Sequence, residues 1–214
     1  SMRDGLTGLY NRAYFQEELR RLNDGRYAPI AVIVCDVDGL KLYNDSFGHM
    51  MGDRLIKAAA DILLQNFRTS DVVARIGGDE FAVILPRASR ETVDMIMQRL
   101  KLSIEAFNAE NEEFLLSIST GMAIGHSKSV NLTQLFRDAD NNMYREKNRN
   151  SQQIRAAITH TVVRLLERRD YVLEGHTRRV AQLCERLAVE IGFSQTKIAD
   201  LLLLAEYHDL GKVG

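Results

Sequence analysis

The 214-residue chain has no surplus of charge: 28 lysines and arginines stand against 29 aspartates and glutamates, a formal net charge of −1. The balance holds along its length, with 19 basic against 21 acidic residues in 1–150 and 9 against 8 in 151–214. No basic field therefore draws it to nucleic acid or to an anionic membrane surface, and no nucleic-acid partner is expected. No apolar run approaches the roughly 18 residues of a membrane-spanning helix, and the opening residues are not a secretory signal. A cytoplasmic location with no direct membrane segment is expected. Cysteine is scarce. Cys35 and Cys184 lie far apart in apolar stretches, which excludes a disulfide framework and reads as two buried, reduced thiols. Ser1-Met2 reads as a remnant ahead of an internal piece of a longer protein, so flanking domains are expected.

What is present is an ordinary globular composition, 45% hydrophobic and 27% charged, in a length that suits one large domain or a domain with an extension. The stretch Arg75-Ile76-Gly77-Gly78-Asp79-Glu80-Phe81 organises the rest. Two glycines between the β-prone runs Val72-Val73-Ala74 and Phe81 to Leu85 predict a tight hairpin, glycine tolerating the positive φ such turns need. The acidic pair Asp79-Glu80 follows the turn on a rigid support. Bare backbone at Gly77 and Gly78 lets a ligand's phosphates come close. Taken alone, the pattern reads equally well as a hairpin with a solvated acidic end.

The rest of the chain supplies a sheet and helices around that hairpin. A turn-rich opening at 4–12 leads to a helix with Phe15, Leu19 and Leu22 at helical spacing. Pro29 then precedes Ile30-Ala31-Val32-Ile33-Val34-Cys35, an apolar run expected as a central strand buried on both faces. It delivers Asp36-Val37-Asp38 at its C-terminal end, where α/β sheets usually bind ligands. One of these carboxylates plus a backbone carbonyl is expected to face a metal, and hard oxygen donors of this kind suit Mg²⁺. Asn44 and Asp53 carry the chemistry to read a purine edge, an amide offering donor and acceptor and a carboxylate accepting twice. Asp53 reads equally as the N-cap of a helix bearing Leu55, Ile56, Ala59, Ile62 and Leu63. His49 reads as a structural loop residue. A further helix is expected from about Ser89 to Ala109, its methionines serving as core filler, then a strand from Phe114 to Ala123 and a last helix ending near Lys147. The order α-β-α-β-β-α-β-α predicts an α/β (α+β) fold, a mixed sheet with flanking helices.

Together these motifs resemble the GGDEF family of diguanylate cyclases over roughly residues 4–148. The likeness rests on Asp4-x-Leu6-Thr7-Gly8-Leu9-x-Asn11-Arg12, Asp36-Val37-Asp38, Lys41, Asn44-Asp45, Gly48-His49, Gly52-Asp53 and the hairpin at 77–81. The resemblance implies a ferredoxin-like, polymerase-palm-like core that binds GTP with Mg²⁺ or Mn²⁺. Asp36, the Val37 carbonyl and Asp79 would hold metal. Asp79 and Glu80 would help deprotonate the 3′-hydroxyl, with Lys41 near the phosphates. Asn44 and Asp53 would read guanine, and Gly39, Leu40, Gly77, Gly78 and Lys147 would line the substrate. The family's inhibitory cyclic di-GMP site would fall on Arg68 and Asp71. Because the hydroxyl of one GTP must attack the α-phosphate of another, the resemblance implies a symmetric homodimer. The family's last helix usually ends Ala-Lys-x-x-Gly-Arg-Asn. Here Lys147 keeps its place, but the phosphate-binding arginine falls on Ser151, which implies weaker triphosphate binding.

Residues 151–214 are expected to be helical, from Ile154, Ile158, Val162 and Leu165, then Val180 to Ile191, then Ile198 to Ala205. His176, with His208-Asp209 32 residues later, resembles the HD phosphohydrolase superfamily, closest to the HD-GYP phosphodiesterases of cyclic di-GMP. By that resemblance His176, His208 and Asp209 would be ligands for Fe or Mn in a full-length protein, with Lys212 near phosphate. Three ligands leave such a site incomplete, so this portion is expected to be inactive, with uncovered apolar faces. The reading divides the chain into a GGDEF domain at 1–150 and an incomplete HD-type domain at 151–214. Its first function is a diguanylate cyclase. The alternative is a catalytically weak module that binds GTP or cyclic di-GMP and controls an attached phosphodiesterase.

Overall fold

A computed structural model describes residues 2–23, 25–127, 130–169 and 176–207. Its centre is strand β2, Ile30–Val37, buried at all eight positions as its apolar run requires. Strand β4 (Glu80–Leu85) pairs antiparallel on one side and β5 (Ile118–Gly125) antiparallel on the other. Strand β3 (Val72–Arg75) continues beyond β4, and a two-residue β1 (Tyr10–Asn11) adds a parallel edge, giving the order β1-β3-β4-β2-β5. The turn-rich opening does not announce β1. Side-chain alternation along β2 then divides the core. Ala31, Ile33, Cys35 and Val37 face helices α2 (Leu40–Phe47), α3 (His49–Asn66) and α4 (Arg90–Glu110). Ile30, Val32 and Val34 face α1 (Arg12–Arg21) and the first half of α5 (Leu132–Arg169).

The helix starts follow local chemistry. The Asn11 side chain accepts from the Tyr14 amide at 3.0 Å and caps α1, while Ser89 accepts from Thr92 and caps α4. Leu55, Ile56, Ala59, Ile62 and Leu63 form the buried stripe of α3, and each large member contributes about 1.5–3 kcal/mol. On α4, Met97 packs against the core, but Met95 is 64% exposed and fills nothing.

Several boundaries differ from the sequence reading, each for a physical reason. Helix α3 begins at His49, after Gly48 at φ 84, so His49 is an exposed first-turn residue and Asp53 lies inside the helix rather than at its cap. Strand β5 begins at Ile118, not Phe114. The backbone just before it is satisfied by side chains instead of a ladder. Asn108 exchanges two 2.8 Å hydrogen bonds with Leu116, and the Tyr43 hydroxyl accepts from the Leu115 amide at 2.9 Å and donates to its carbonyl at 3.2 Å. Helix α5 does not stop near Lys147; it runs through to Arg169, and Ile158 and Val162 are buried in the core beneath Val37 and Tyr43. Beyond it, α6 (His176–Glu190) ends in a Schellman turn at Gly192 (φ 76), where Phe193 donates to the Ala188 carbonyl. Helix α7 (Gln195–Tyr207) packs back on α6, leaving Leu183, Leu187, Leu203 and Leu204 exposed.

Both cysteines are free thiols, Cys35 buried and Cys184 only half-buried, which corrects the expectation of two buried ones. Burial, with the charges of Asp36 and Glu146, pushes the Cys35 thiol up to about 12. An aromatic disulfide reagent is therefore expected to titrate one thiol per native chain and two after denaturation. Two fast-reacting thiols in the native chain would contradict this packing.

Candidate active site

The carboxylates meet at one end of the central ladder. Asp36 is the register partner of Glu80 on β4 and of Ser119 on β5. Cross-strand partners share a face, so Asp36 and Glu80 both point toward the α1/α5 side. Asp79 joins them through the backbone, its carbonyl accepting from the Val37 amide at 2.9 Å. Asp38, two residues beyond Asp36, acts on the same cluster, but its carboxylate is buried and accepts from Ser117 at 2.7 Å and Ser119 at 2.8 Å. Those serine bonds set Asp38 aside and leave Asp36 available.

Lys147 reaches in from α5 and places its ammonium 2.6 Å from Asp36 Oδ1. Burial pushes the Asp36 carboxyl up to about 6; Lys147 works against this, and the neighbouring charges of Asp79 and Asp38 add to it. For Lys147, burial disfavours the ammonium, but Asp36, Asp38 and Asp79 outweigh it and hold the group above its ordinary value. The donors fit a divalent cation: hard carboxylate oxygens from Asp36 and Asp79 with the Val37 carbonyl, beside a protein ammonium already drawn to the same oxygen. Among the described residues no three His, Cys, Asp or Glu side chains converge to cage an ion by themselves. Two carboxylates completed by substrate phosphates is the usual Mg²⁺ arrangement.

Residues 76–79 turn the hairpin, and the glycines serve it differently from the expectation. Neither Gly77 nor Gly78 adopts a left-handed φ. A Cβ on Gly77 would come within 2.5 Å of Glu80 Oε2, so bare backbone there makes room for the Glu80 side chain, while Gly78 faces open space. Arg75, which the sequence reading did not assign, holds the tip: its guanidinium donates to the Gly78 carbonyl at 2.7 Å and pairs with Asp4 at 3.2 Å. Asp4 also accepts from the Thr7 amide and hydroxyl. Burial would raise the Asp4 carboxyl, but Thr7 and Arg75 overcome it and hold it low. The opening Asp-x-Leu-Thr-Gly motif is thus a brace for the hairpin, a role only the fold reveals.

The proposed base-reading residues meet at the α2–α3 corner. Asn44 lies against Gly52, where any Cβ would collide with its Oδ1, and Asp53 is the next residue, exposed. Asn44 Oδ1 is buried and, among the described residues, has no hydrogen-bond partner. A buried orphan acceptor beside an exposed carboxylate suits a ligand that brings its own donors. Leu40 and Lys41 form the first turn of α2 after Gly39, with Lys41 exposed. Arg68 and Asp71 lie away from this cluster, in the turn between α3 and β3, where Asp71 accepts from the Arg68 amide at 2.8 Å. Burial raises the Asp71 carboxyl and Arg68 opposes it. Ser151 sits exposed on α5 with its hydroxyl donating to the Asn148 carbonyl. His208, Asp209 and Lys212 lie outside the described residues, as does the side chain of His176, the first residue of α6.

Comparison with known proteins identifies the family. The family model "Diguanylate cyclase, GGDEF domain" matches residues 1–153, and an HD-domain model matches residues 173–214. The chain belongs to the GGDEF family. It is 33% identical over 150 residues to the probable diguanylate cyclase DgcT of Escherichia coli strain K12, covering 68% of this chain and 33% of that protein. It is 32% identical over 139 residues to the cyclic di-GMP phosphodiesterase PdeB of Shewanella oneidensis, covering 64% of this chain and 16% of that protein. The GGDEF domain of DgcB from Caulobacter crescentus, solved with cyclic di-GMP, superposes with a TM-score of 0.62 at 27% identity, covering 69% of this chain and 91% of that one. The chain spans a third or less of the length of these two curated relatives. No helix among the described residues is long and apolar enough to cross a membrane.

Proposed function

We propose that residues 1–153 form a diguanylate cyclase domain that condenses two GTP into cyclic di-GMP and two pyrophosphates. The observation that carries this reading is the pairing of Asp36 with Glu80 across β2 and β4, with Asp79 at the adjoining turn. In each step a 3′-hydroxyl oxygen bonds the α-phosphorus of the other nucleotide, the bond to pyrophosphate breaks, and the hydroxyl proton leaves. Glu80, with Asp79, takes that proton; Asn44 and Asp53 orient guanine; Gly39, Leu40 and Lys41 bind the triphosphate. Asp36, Asp79 and the Val37 carbonyl would hold Mg²⁺ or Mn²⁺, which when bound neutralises phosphate charge. Each chain presents one such half-site, so the reaction joins two chains as a homodimer. Arg68 and Asp71 bind the product, cyclic di-GMP, at a second site.

Turnover of GTP with Mg²⁺, followed through pyrophosphate and cyclic di-GMP, tests this. Glu80→Gln is expected to lower it about 10²–10⁴-fold, the range for losing a general base. Ser151 at the place of an expected phosphate-binding arginine favours a second reading, a GTP- or cyclic di-GMP-binding module that regulates an attached HD-type domain. Tight nucleotide binding with no product, even from a forced dimer, would select that reading.

A further inference from the structure

Ile158 follows Lys147 by eleven residues on α5, about three full turns, so both side chains leave one face of one helix. The first ends on Asp36. The second ends on Gly39. A Cβ built on Gly39 would lie 2.7 Å from Ile158 Cδ1 and 3.2 Å from its Cγ2, and its three nearest atoms all belong to Ile158. Ile158 is 1% exposed and Val162, one turn on, is fully buried. Both lie beyond residue 153, where the match to the GGDEF family stops.

Gly39 needs such a support. It adopts φ 75 and ψ 10, caps α2 without a side-chain hydrogen bond, and as glycine has the broadest choice of alternative conformations. Its carbonyl accepts from the Tyr43 amide at 3.1 Å, and Tyr43 is itself fixed in the core by its two bonds to Leu115. Tyr43 secures α2 from within; Ile158 closes the outer side of the turn that precedes Leu40 and Lys41.

We propose that Ile158, backed by Val162, is a positioning residue for the phosphate-binding segment 39–41, and that α5 beyond residue 153 belongs to the nucleotide site. The proposal rests on the reading that this segment takes phosphates. Because Lys147 and Ile158 share one rigid face, a shift or rotation of α5 moves the partner of Asp36 and the support of Gly39 together. Segments that follow Arg169 and pull on this helix thereby alter nucleotide binding.

The test uses the whole chain with Ile158→Ala, the conservative Ile158→Val, and Val93→Ala, a buried α4 valine in the same core but remote from Gly39. Two readouts are taken: amide hydrogen exchange at 40–43 without nucleotide, and KM and kcat for GTP. Ile158→Ala is expected to speed exchange at 40–43 and raise KM about tenfold with a smaller change in kcat, since ångström-scale misplacement of a binding group weakens positioning. Ile158→Val is expected to shift both in the same direction by less, and it carries the comparison if the alanine variant does not fold. Val93→Ala lowers the melting temperature and leaves both readouts in place. Equal effects from Val93→Ala and the Ile158 variants, or unchanged exchange at 40–43, would overturn the proposal. Absence of GTP turnover in the native chain would count against the cyclase reading alone, because the exchange measurement needs no substrate.

Discussion

Asp36→Asn is expected to reduce GTP turnover by at least about 10³-fold while leaving the metal-free chain as stable as the native one, or more stable, near pH 8. The catalytic half follows from position. Asp36 is the carboxylate that serines leave available at the end of β2, directly across from Glu80. The stability half follows from burial, which lifts its pKa well above the ordinary carboxylate range, to about 6, despite Lys147 at 2.6 Å. A folded-state pKa above the unfolded one means that the fold disfavours the ionised carboxylate. That penalty is fully present above about pH 6 and disappears as the pH falls through the folded and then the unfolded value. Asparagine keeps the shape and stays neutral, and Asp38 and Asp79 still act on Lys147. Thermal melts in chelator should therefore place the variant level with the native chain or about 2–4 °C above it near pH 8, the scale on which 1 kcal/mol moves a domain of this size. The two curves should converge toward pH 4. A variant less stable by the same margin at every pH would show instead that the Lys147–Asp36 pair is a net support of the fold.

The central strand was legible because an unbroken apolar run has few destinations other than the middle of a sheet. The acidic hairpin was legible from its two glycines, although neither adopts a left-handed backbone and only Gly77 serves as clearance for Glu80. The continuation of α5 was not. Residues 145–153 are polar and include Asn148, Asn150 and Ser151, poor helix formers that read as an ending. Burial of Ile158 and Val162 beneath the α2/α3/α4 core overrides that local preference. The brace from Asp4 to Arg75 to Gly78 was also hidden, since it joins residues 71 apart in sequence and depends on β1 lying beside β3. The residue types of the site could be named from the chain. Their meeting depends on strand register, which sets Asp36 across from Glu80, and on a helix corner that sets Asn44 against Gly52.

Gly121 was singled out by no motif, yet Gly121→Ala is expected to destabilise the chain by about 3 kcal/mol or more. It stands on β5 across from Val34, on the face that α5 covers. A Cβ there would collide with the Met143 amide nitrogen and the Ala139 carbonyl oxygen and lie 2.6 Å from Met143 Cα. These are backbone atoms of a hydrogen-bonded helix, and no side-chain rotation relieves them. The strand cannot yield either, because β2 holds it along an eight-residue ladder. Helix α5 must therefore withdraw, loosening Leu132, Leu135, Ala139 and Met143 from the core at once. Lys147 lies one turn beyond Met143, so the same withdrawal draws its ammonium from Asp36. Gly78→Ala is the matched control: no atom lies within 4 Å of its missing Cβ and its φ is not left-handed, so its stability should stay within about 0.5 kcal/mol of native. Denaturant unfolding of the two variants separates the cases. A Gly121→Ala chain that unfolds with Gly78→Ala would mean that α5 does not rest on β5 at this distance, and the placement of Lys147 and Ile158 would fall with it.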